Sequence, residues 1–342
     1  MFVSMKRFTI ILLAFCLFIQ GCAGEKAAEA EKVVASYVTS WTEVMPDPFL
    51  LTHVNYAFGH VKDSFDGLEI DNVDRLKSIV KLKEQNPELK VVLSVGGWES
   101  GNFSEMAADR TFRKSFCADC AKAVKELGLD GIDIDWEYPG NGEGAGISWS
   151  PDDKDNFTLL MKDLRSALGR KKLLTLASCC DPKYIDFPAI MDVVDLVNTM
   201  TYDMNEGGDT FHCALYPSEH TAIWTTDTSV KAHIEAGVPA DKLVMGVPFY
   251  GKGVSSYKGK RDFGKMYPIP DGYTITWDET ANAPYIVDEE GNFAFGFENE
   301  RSLTDKVEYI KANGLRGIMN WDYDGDDGNL TLTRIMHSVA EQ

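Results

Sequence analysis

From Lys32 onward, short apolar runs rich in β-branched residues alternate with longer stretches whose apolar positions recur at helical spacing. Residues 33–38 read as a first strand, 53–58 as a second and 90–95 as a third. Residues 130–138 form a fourth strand of unusual acidity, followed by strands at 173–177, 194–202, 243–250 and 317–321. Helical patterns cover 73–84, 112–127, 153–168, 228–236, 303–312 and 330–340. The helix at 153 opens on Pro151, Asp152 and Asp153, acids that suit a helix N-terminus, and the one at 228 stops at Gly237. Eight strands alternating with helices predict an α/β chain closed into a (β/α)8 TIM barrel rather than an open doubly wound sheet. No Gly-x-Gly-x-x-Gly turn follows the first strand, which counts against a dinucleotide fold. One region breaks the rhythm. Between strand seven and helix seven, about fifty residues (roughly 252–300) are too many for a simple loop and predict a small α+β insertion over one side of the barrel mouth.

The fourth strand organises the rest. Alternate residues of a strand face opposite ways, so Asp133, Asp135 and Glu137 share one side while Ile132, Ile134 and Trp136 share the other. A solvated sheet edge would tolerate three such carboxylates. The apolar opposite face, and the helical stretch ending in Leu127-Gly128-Leu129 just before, favour a buried parallel strand that aims its acids into a cleft at its C-terminal end. Around that mouth the other strand ends carry Trp41, Gly97-Trp98, Tyr138, Met200-Thr201-Tyr202-Asp203, Tyr250 and Trp321-Asp322. A single tryptophan is more often core than not. Aromatic faces interleaved with carboxylates at nearly every strand end instead describe a cleft that stacks sugars and does acid chemistry at its centre. Asp135 and Glu137 stand about 6–7 Å apart along the strand, near the spacing of an ordinary retaining glycosidase pair, so spacing alone leaves Asp135 open as a direct nucleophile.

Composition narrows the partners. The chain has 342 residues, a formal net charge of −19 and a pI near 4.7, with no concentrated basic patch, which excludes ordinary nucleic-acid binding. Lys6 and Arg7 precede an apolar run at residues 8–19, the pattern of a signal peptide rather than a membrane span. Ile19-Gln20-Gly21-Cys22 resembles the lipobox of bacterial lipoproteins, although Gln20 is not a favoured residue there. The expected organisation is a signal peptide at 1–21, a lipidated tether at 22–32 beginning with Cys22, and a catalytic barrel at 33–342. Plain secretion with cleavage elsewhere is the alternative. Of seven cysteines, Cys117, Cys120, Cys179, Cys180 and Cys213 remain for the folded part. Their odd number leaves at least one thiol free, and no histidine and cysteine spacing suggests a metal.

The motifs taken together resemble glycoside hydrolase family 18, the chitinases and their relatives. The signature Asp-Gly-x-Asp-x-Asp-x-Glu is matched at Asp130, Gly131, Asp133, Asp135 and Glu137. Ser94-Val95-Gly96-Gly97-Trp98, Met200-Thr201-Tyr202-Asp203, Gly246-Val247-Pro248-Phe249-Tyr250-Gly251 and the Trp321 region follow in the expected order. The resemblance implies a β-1,4-linked N-acetylglucosamine substrate (chitin or its oligosaccharides), no cofactor, no metal, a monomer, and retaining hydrolysis assisted by the substrate's own acetamido group. By resemblance, Glu137 is the acid, Asp135 orients the acetamido group, Asp133 shares a proton with Asp135, and Tyr202 donates to the acetamido group. Trp41, Gly97, Trp98, Tyr138, Met200, Asp203, Tyr250 and Trp321 would meet the sugars. Lys252 stands where many relatives carry arginine. Two other readings remain: an endo-β-N-acetylglucosaminidase acting on N-glycan cores, and a chitin-binding lectin, which typically lacks the acid that Glu137 supplies. The leader implies a bacterial envelope location. Cys22→Ser is expected to move the protein from membrane to soluble fractions with its specific activity unchanged. Unaltered fractionation would reject lipidation.

Overall fold

The computed structural model describes residues 31–205 and 208–341; the predicted leader, Cys22 and the tether as far as residue 30 lie outside the described residues. In chain order the strands and helices are β1 (Val33–Thr39), β2 (His53–Val61), β3 (Leu68–Ile70), α1 (Val73–Val80), β4 (Lys90–Gly96), α2 (Phe103–Ala108), α3 (Arg110–Leu127), β5 (Gly131–Asp135) and α4 (Asp153–Leu168). They continue through β6 (Leu173–Cys179), β7 (Leu196–Met200), α5 (Thr226–Glu235), β8 (Leu243–Pro248), β9 (Lys252–Gly253), β10 (Thr274–Asp278), β11 (Ala283–Val287) and β12 (Phe293–Gly296). α6 (Glu300–Ala312), β13 (Gly317–Trp321) and α7 (Thr331–His337) complete the chain. Strands β1, β2, β4, β5, β6, β7, β8 and β13 pair in parallel, and β1 pairs with both β13 and β2, which closes the predicted eight-stranded barrel.

Strand alternation sorts each residue to one side of the barrel wall. Val34, Val38, Ile132, Ile134, Leu174, Leu176, Met245, Val247 and Ile318 face outward into the main core, with Phe116 and Cys120 of α3 and Phe157, Leu160 and Leu164 of α4. Val33, Ala35, Tyr37, Leu196, Val244 and Met319 form a second, smaller cluster inside the barrel. Helix ends follow the local chemistry. Asp109 caps α3 by accepting from the amides of Thr111 and Phe112, and Gly128, at φ 71°, ends it. Asp153 is fully buried at the start of α4, where its carboxylate accepts from Ser104 Oγ (2.8 Å) and the Ser150 amide (2.7 Å).

Two short elements, β3 and α2, were not expected from the pattern. β3 pairs antiparallel with the end of β2, and α2 is a six-residue helix that stops where Asp109 begins α3. The insertion is a four-stranded antiparallel sheet in the order β10-β11-β12-β9, with one turn of 3-10 helix at Phe263–Lys265. Its Ala281, Ala283 and Phe293, with Tyr285 packed against them, form a small core with Phe211 and Ala214 from the segment between β7 and α5. Beyond it, Glu298 and Lys306 form an ion pair with side chains only 2% and 1% exposed; Glu298 also accepts from Ser302 Oγ (2.6 Å), and Lys306 donates to the Cys213 carbonyl. Lys306→Met would leave Glu298 buried without its partner charge, and loss of one member of such a pair costs about 3–5 kcal/mol. Urea unfolding should show a loss of that size; a change within about 1 kcal/mol would mean that the pair is not structurally important.

Candidate active site

The acidic strand begins at the floor of the barrel. Asp130 accepts from Lys83 Nζ (2.6 Å) and the Val91 amide (2.8 Å), fixing where β5 starts. Gly131 follows because a Cβ there would lie 2.2 Å from the Leu173 carbonyl oxygen of the neighbouring strand. Asp133 then points into the barrel, wholly buried. Its Oδ2 accepts from Tyr37 Oη (2.9 Å) and Ser94 Oγ (2.8 Å), and its Oδ1 from Thr175 Oγ1 (2.6 Å) and Asn198 Nδ2 (3.2 Å). Burial still raises its pKa, with these four hydrogen bonds working against the rise.

Two residues on, Asp135 is also buried, but its Oδ1 has no hydrogen-bond partner within the protein. Burial, Glu137 and Asp133 together push its pKa well above the usual carboxylate range. The sequence implied a proton shared between Asp133 and Asp135. Asp133 accepts in addition from the four side chains just named. β5 ends at Asp135, so Glu137 sits in the loop just beyond the strand. Burial raises its pKa to about 7, with nearby Cys179 and Asp203 adding to the rise and Tyr138 opposing it.

These groups open into a cavity of about 700 Å³ at the C-terminal ends of the strands. Its floor is Trp321, whose ring stacks on Phe58 at 5.6 Å and lies 5.8 Å from Tyr37 and 6.4 Å from Trp41. Trp41 and Trp98 line the mouth and are 62% and 54% exposed, so neither is a core residue. Met200, Tyr202 and Tyr138 complete the wall, and the Tyr138 ring is stacked on Tyr184 at 5.1 Å. Asp203 is held by three groups: Tyr250 Oη donates to Oδ1 (2.7 Å), Lys252 Nζ lies 2.8 Å from Oδ2, and His212 Nδ1 lies 3.4 Å from Oδ1. Burial disfavours the Asp203 charge, but His212 and Lys252 outweigh it and hold the carboxyl well below its ordinary range. Burial keeps His212 itself toward its neutral form, which leaves Lys252 as the lasting counter-charge.

The glycosyl hydrolases family 18 model matches residues 33–326. The chain belongs to that family. It is 33% identical over 342 aligned residues to Chitinase A1 of Niallia circulans, covering 86% of this chain and 48% of the relative. It is 31% identical to Chitinase 1 of Aphanocladium album, covering 79% of this chain and 70% of that one. The chain thus spans about half the length of the bacterial relative and most of the fungal one. Among solved structures, a family 18 N-acetylglucosaminidase from Paenibacillus barengoltzii is similar with a TM-score of 0.81 and 35% identity, covering 90% of this chain and 99% of that one. The Group IV chitinase of Ostrinia furnacalis is similar with a TM-score of 0.82 and 28% identity, covering 91% of this chain and all of that one.

Of the residues singled out in the family 18 sequence, Asp135, Glu137, Tyr138, Met200, Tyr202, Asp203, Tyr250, Trp41, Trp98 and Trp321 line one cavity, with Asp133 directly beneath. Gly97 was expected to meet substrate and does not line it. A Cβ there would lie 2.7 Å from the Phe58 ring, so Gly97 makes room for the floor. Tyr37, Phe58, Cys179, Cys180 and Lys252 also line the cavity and were not singled out as site residues. Tyr37 occupies an inward position of β1, a signal present in the alternation. Nothing local marks the cysteines. Lys252, unexplained from sequence, is the partner of Asp203.

Proposed function

We propose that this family 18 chain hydrolyses β-1,4-linked N-acetylglucosamine polymers or oligomers, retaining configuration through a cyclised acetamido intermediate. The observation that carries the reading is a pair of neighbouring carboxyls with contrasting tasks, Asp135 buried and Glu137 half-buried at the cavity wall. Glu137, with its pKa near 7, keeps a proton at neutral pH for the glycosidic oxygen. Asp135 presents an unpartnered buried oxygen, and leaving such an atom unsatisfied costs about 1–3 kcal/mol. A substrate N–H would relieve that cost, and the 2-acetamido group carries one next to the reacting carbon. Held there, its carbonyl oxygen attacks C1 as the leaving group departs with the Glu137 proton. Asp135 accepts the acetamido N–H as positive charge develops on the ring formed, and water later opens that ring with Glu137 now acting as base. Tyr202 supports the acetamido oxygen, Trp321 gives the sugar an apolar floor, and Asp203 stays ionised to bind hydroxyls. The relatives named Chitinase A1, Chitinase 1 and Endochitinase support this substrate class. The leader motif ending at Cys22 supports a lipid-anchored enzyme of the bacterial envelope.

Turnover of chitooligosaccharides by the Glu137→Gln variant should fall roughly 10²–10⁴-fold while binding persists, since the amide keeps the shape and loses the proton. Because the acid acts in its protonated form, wild-type kcat/KM should decline as pH rises through about 7. A variant that cuts at the wild-type rate would remove Glu137 from the mechanism. A wild type that binds these sugars and never cuts them would establish a lectin.

A further inference from the structure

The hydrolysis described above uses no thiol, yet two thiols form part of the cleft wall. Cys179 is the last residue of β6 and Cys180 follows it; both line the cavity that holds Glu137 and Tyr138. Neither is in a disulfide, both are half-buried, and their sulfurs lie 4.0 Å apart. Tyr138 lines the same cavity beside them. The Cys180 hydrogen bond contributes most to bringing the Cys179 thiol down to about 7, against the effect of burial. Either sulfur can donate in this 4.0 Å contact; the same contact is the main reason that the Cys180 thiol is raised, which favours Cys179 as the nucleophile. The other three cysteines among the described residues are buried in the core, and burial pushes Cys117 up to about 12 and raises Cys120 and Cys213.

We propose that the Cys179–Cys180 pair is a covalent modification site in the wall of the cleft, that its ligand class is a low-molecular-weight disulfide, and that the mixed disulfide formed on Cys179 closes the sugar site beside Glu137. The Cys179 thiolate attacks one sulfur of R–S–S–R. A bond from Cys179 to that sulfur forms as the original S–S bond breaks, and the second R–S leaves as a thiolate that takes up the proton Cys179 gave up. Cys179 is oxidised, the small disulfide is reduced, and no other oxidant enters. Cys180 is poorly placed to expel the adduct. Consecutive Cα atoms across a trans peptide are about 3.8 Å apart, below the usual disulfide range of roughly 4.4–6.8 Å, and the two sulfurs would have to close to about 2.05 Å. The adduct therefore persists until an external thiol removes it, and it occupies space in a cavity of about 700 Å³ that a sugar needs.

The test treats the reduced full chain, freed of reductant, with oxidised glutathione, and maps adducts by peptide mass. One glutathione should appear on Cys179, with at least about a tenfold loss of chitooligosaccharide binding and turnover that dithiothreitol reverses. Cys179→Ser should take no adduct on that peptide, and Cys180→Ala should react at Cys179 more slowly for want of its donor. Independently of any variant's folding, saturating chitooligosaccharide should slow modification of the wild type. Preferential modification of Cys117, Cys120 or Cys213 would overturn the proposal. So would loss of both cleft thiols without added mass, or a fully modified protein that still binds the sugar. The effect on turnover rests on the proposed hydrolysis, but the adduct map and the binding readout do not, so failure of one reading is distinguishable from failure of the other.

Discussion

A carboxylate buried inside a barrel must either be surrounded by donors or keep its proton, and the three acids of this site run from the first condition toward the second. Asp133 takes hydrogen bonds from side chains on β1, β4, β6 and β7, so half the strands of the barrel contribute a donor to one residue. Asp135, one step nearer the mouth, has an oxygen with no partner within the protein. Glu137, beyond the strand, is left with a pKa near 7. The barrel thus spends its internal donors on the deepest acid and leaves the outer two to be satisfied by a proton or by substrate. Closure of the sheet is what makes this arrangement available, because β1, β4, β6 and β7 meet around Asp133 only once β1 pairs with both β2 and β13.

The remaining charged group of the cleft is handled in the opposite way. Asp203 lies in the same cavity as Glu137 but has Lys252 and Tyr250 on its two oxygens, so it remains ionised where Glu137 does not. Two carboxyls in one cleft are thereby pushed to different protonation states by their neighbours, which is the condition for giving one of them acid chemistry and the other a binding task. Around them the aromatic surfaces are graded. Trp321 is fixed between Tyr37, Trp41 and Phe58, while Trp41 and Trp98 keep exposed faces at the entrance.

Alternation in β5 was enough to place Asp133 and Asp135 inward and Ile132 and Ile134 in the outer core, and the eight-strand rhythm was enough to predict closure. Local pattern reached its limit wherever an element was too short to show a period, as in three-residue β3 and six-residue α2. It failed differently at Asp133. Tyr37, Thr175 and Asn198 are 96, 42 and 65 residues away from it in sequence, and only closure of the sheet brings their hydroxyls and amide to one point. Gly97 shows a third limit: its place in a motif was legible, but whether it meets a sugar or the Phe58 ring depends on packing. The role of Lys252 and the presence of two cysteines in the cleft wall were illegible for the same reason.

The central claim is that Asp135 serves the substrate's acetamido group rather than attacking the sugar itself. The most direct measurement compares cleavage of two oligosaccharides of equal length, one acetylated throughout and one carrying a free 2-amino group on the sugar at the cleaved bond. The account predicts turnover of the first and none of the second, because an amine has no carbonyl oxygen to cyclise. Comparable cleavage of both would contradict it and make Asp135 a direct nucleophile.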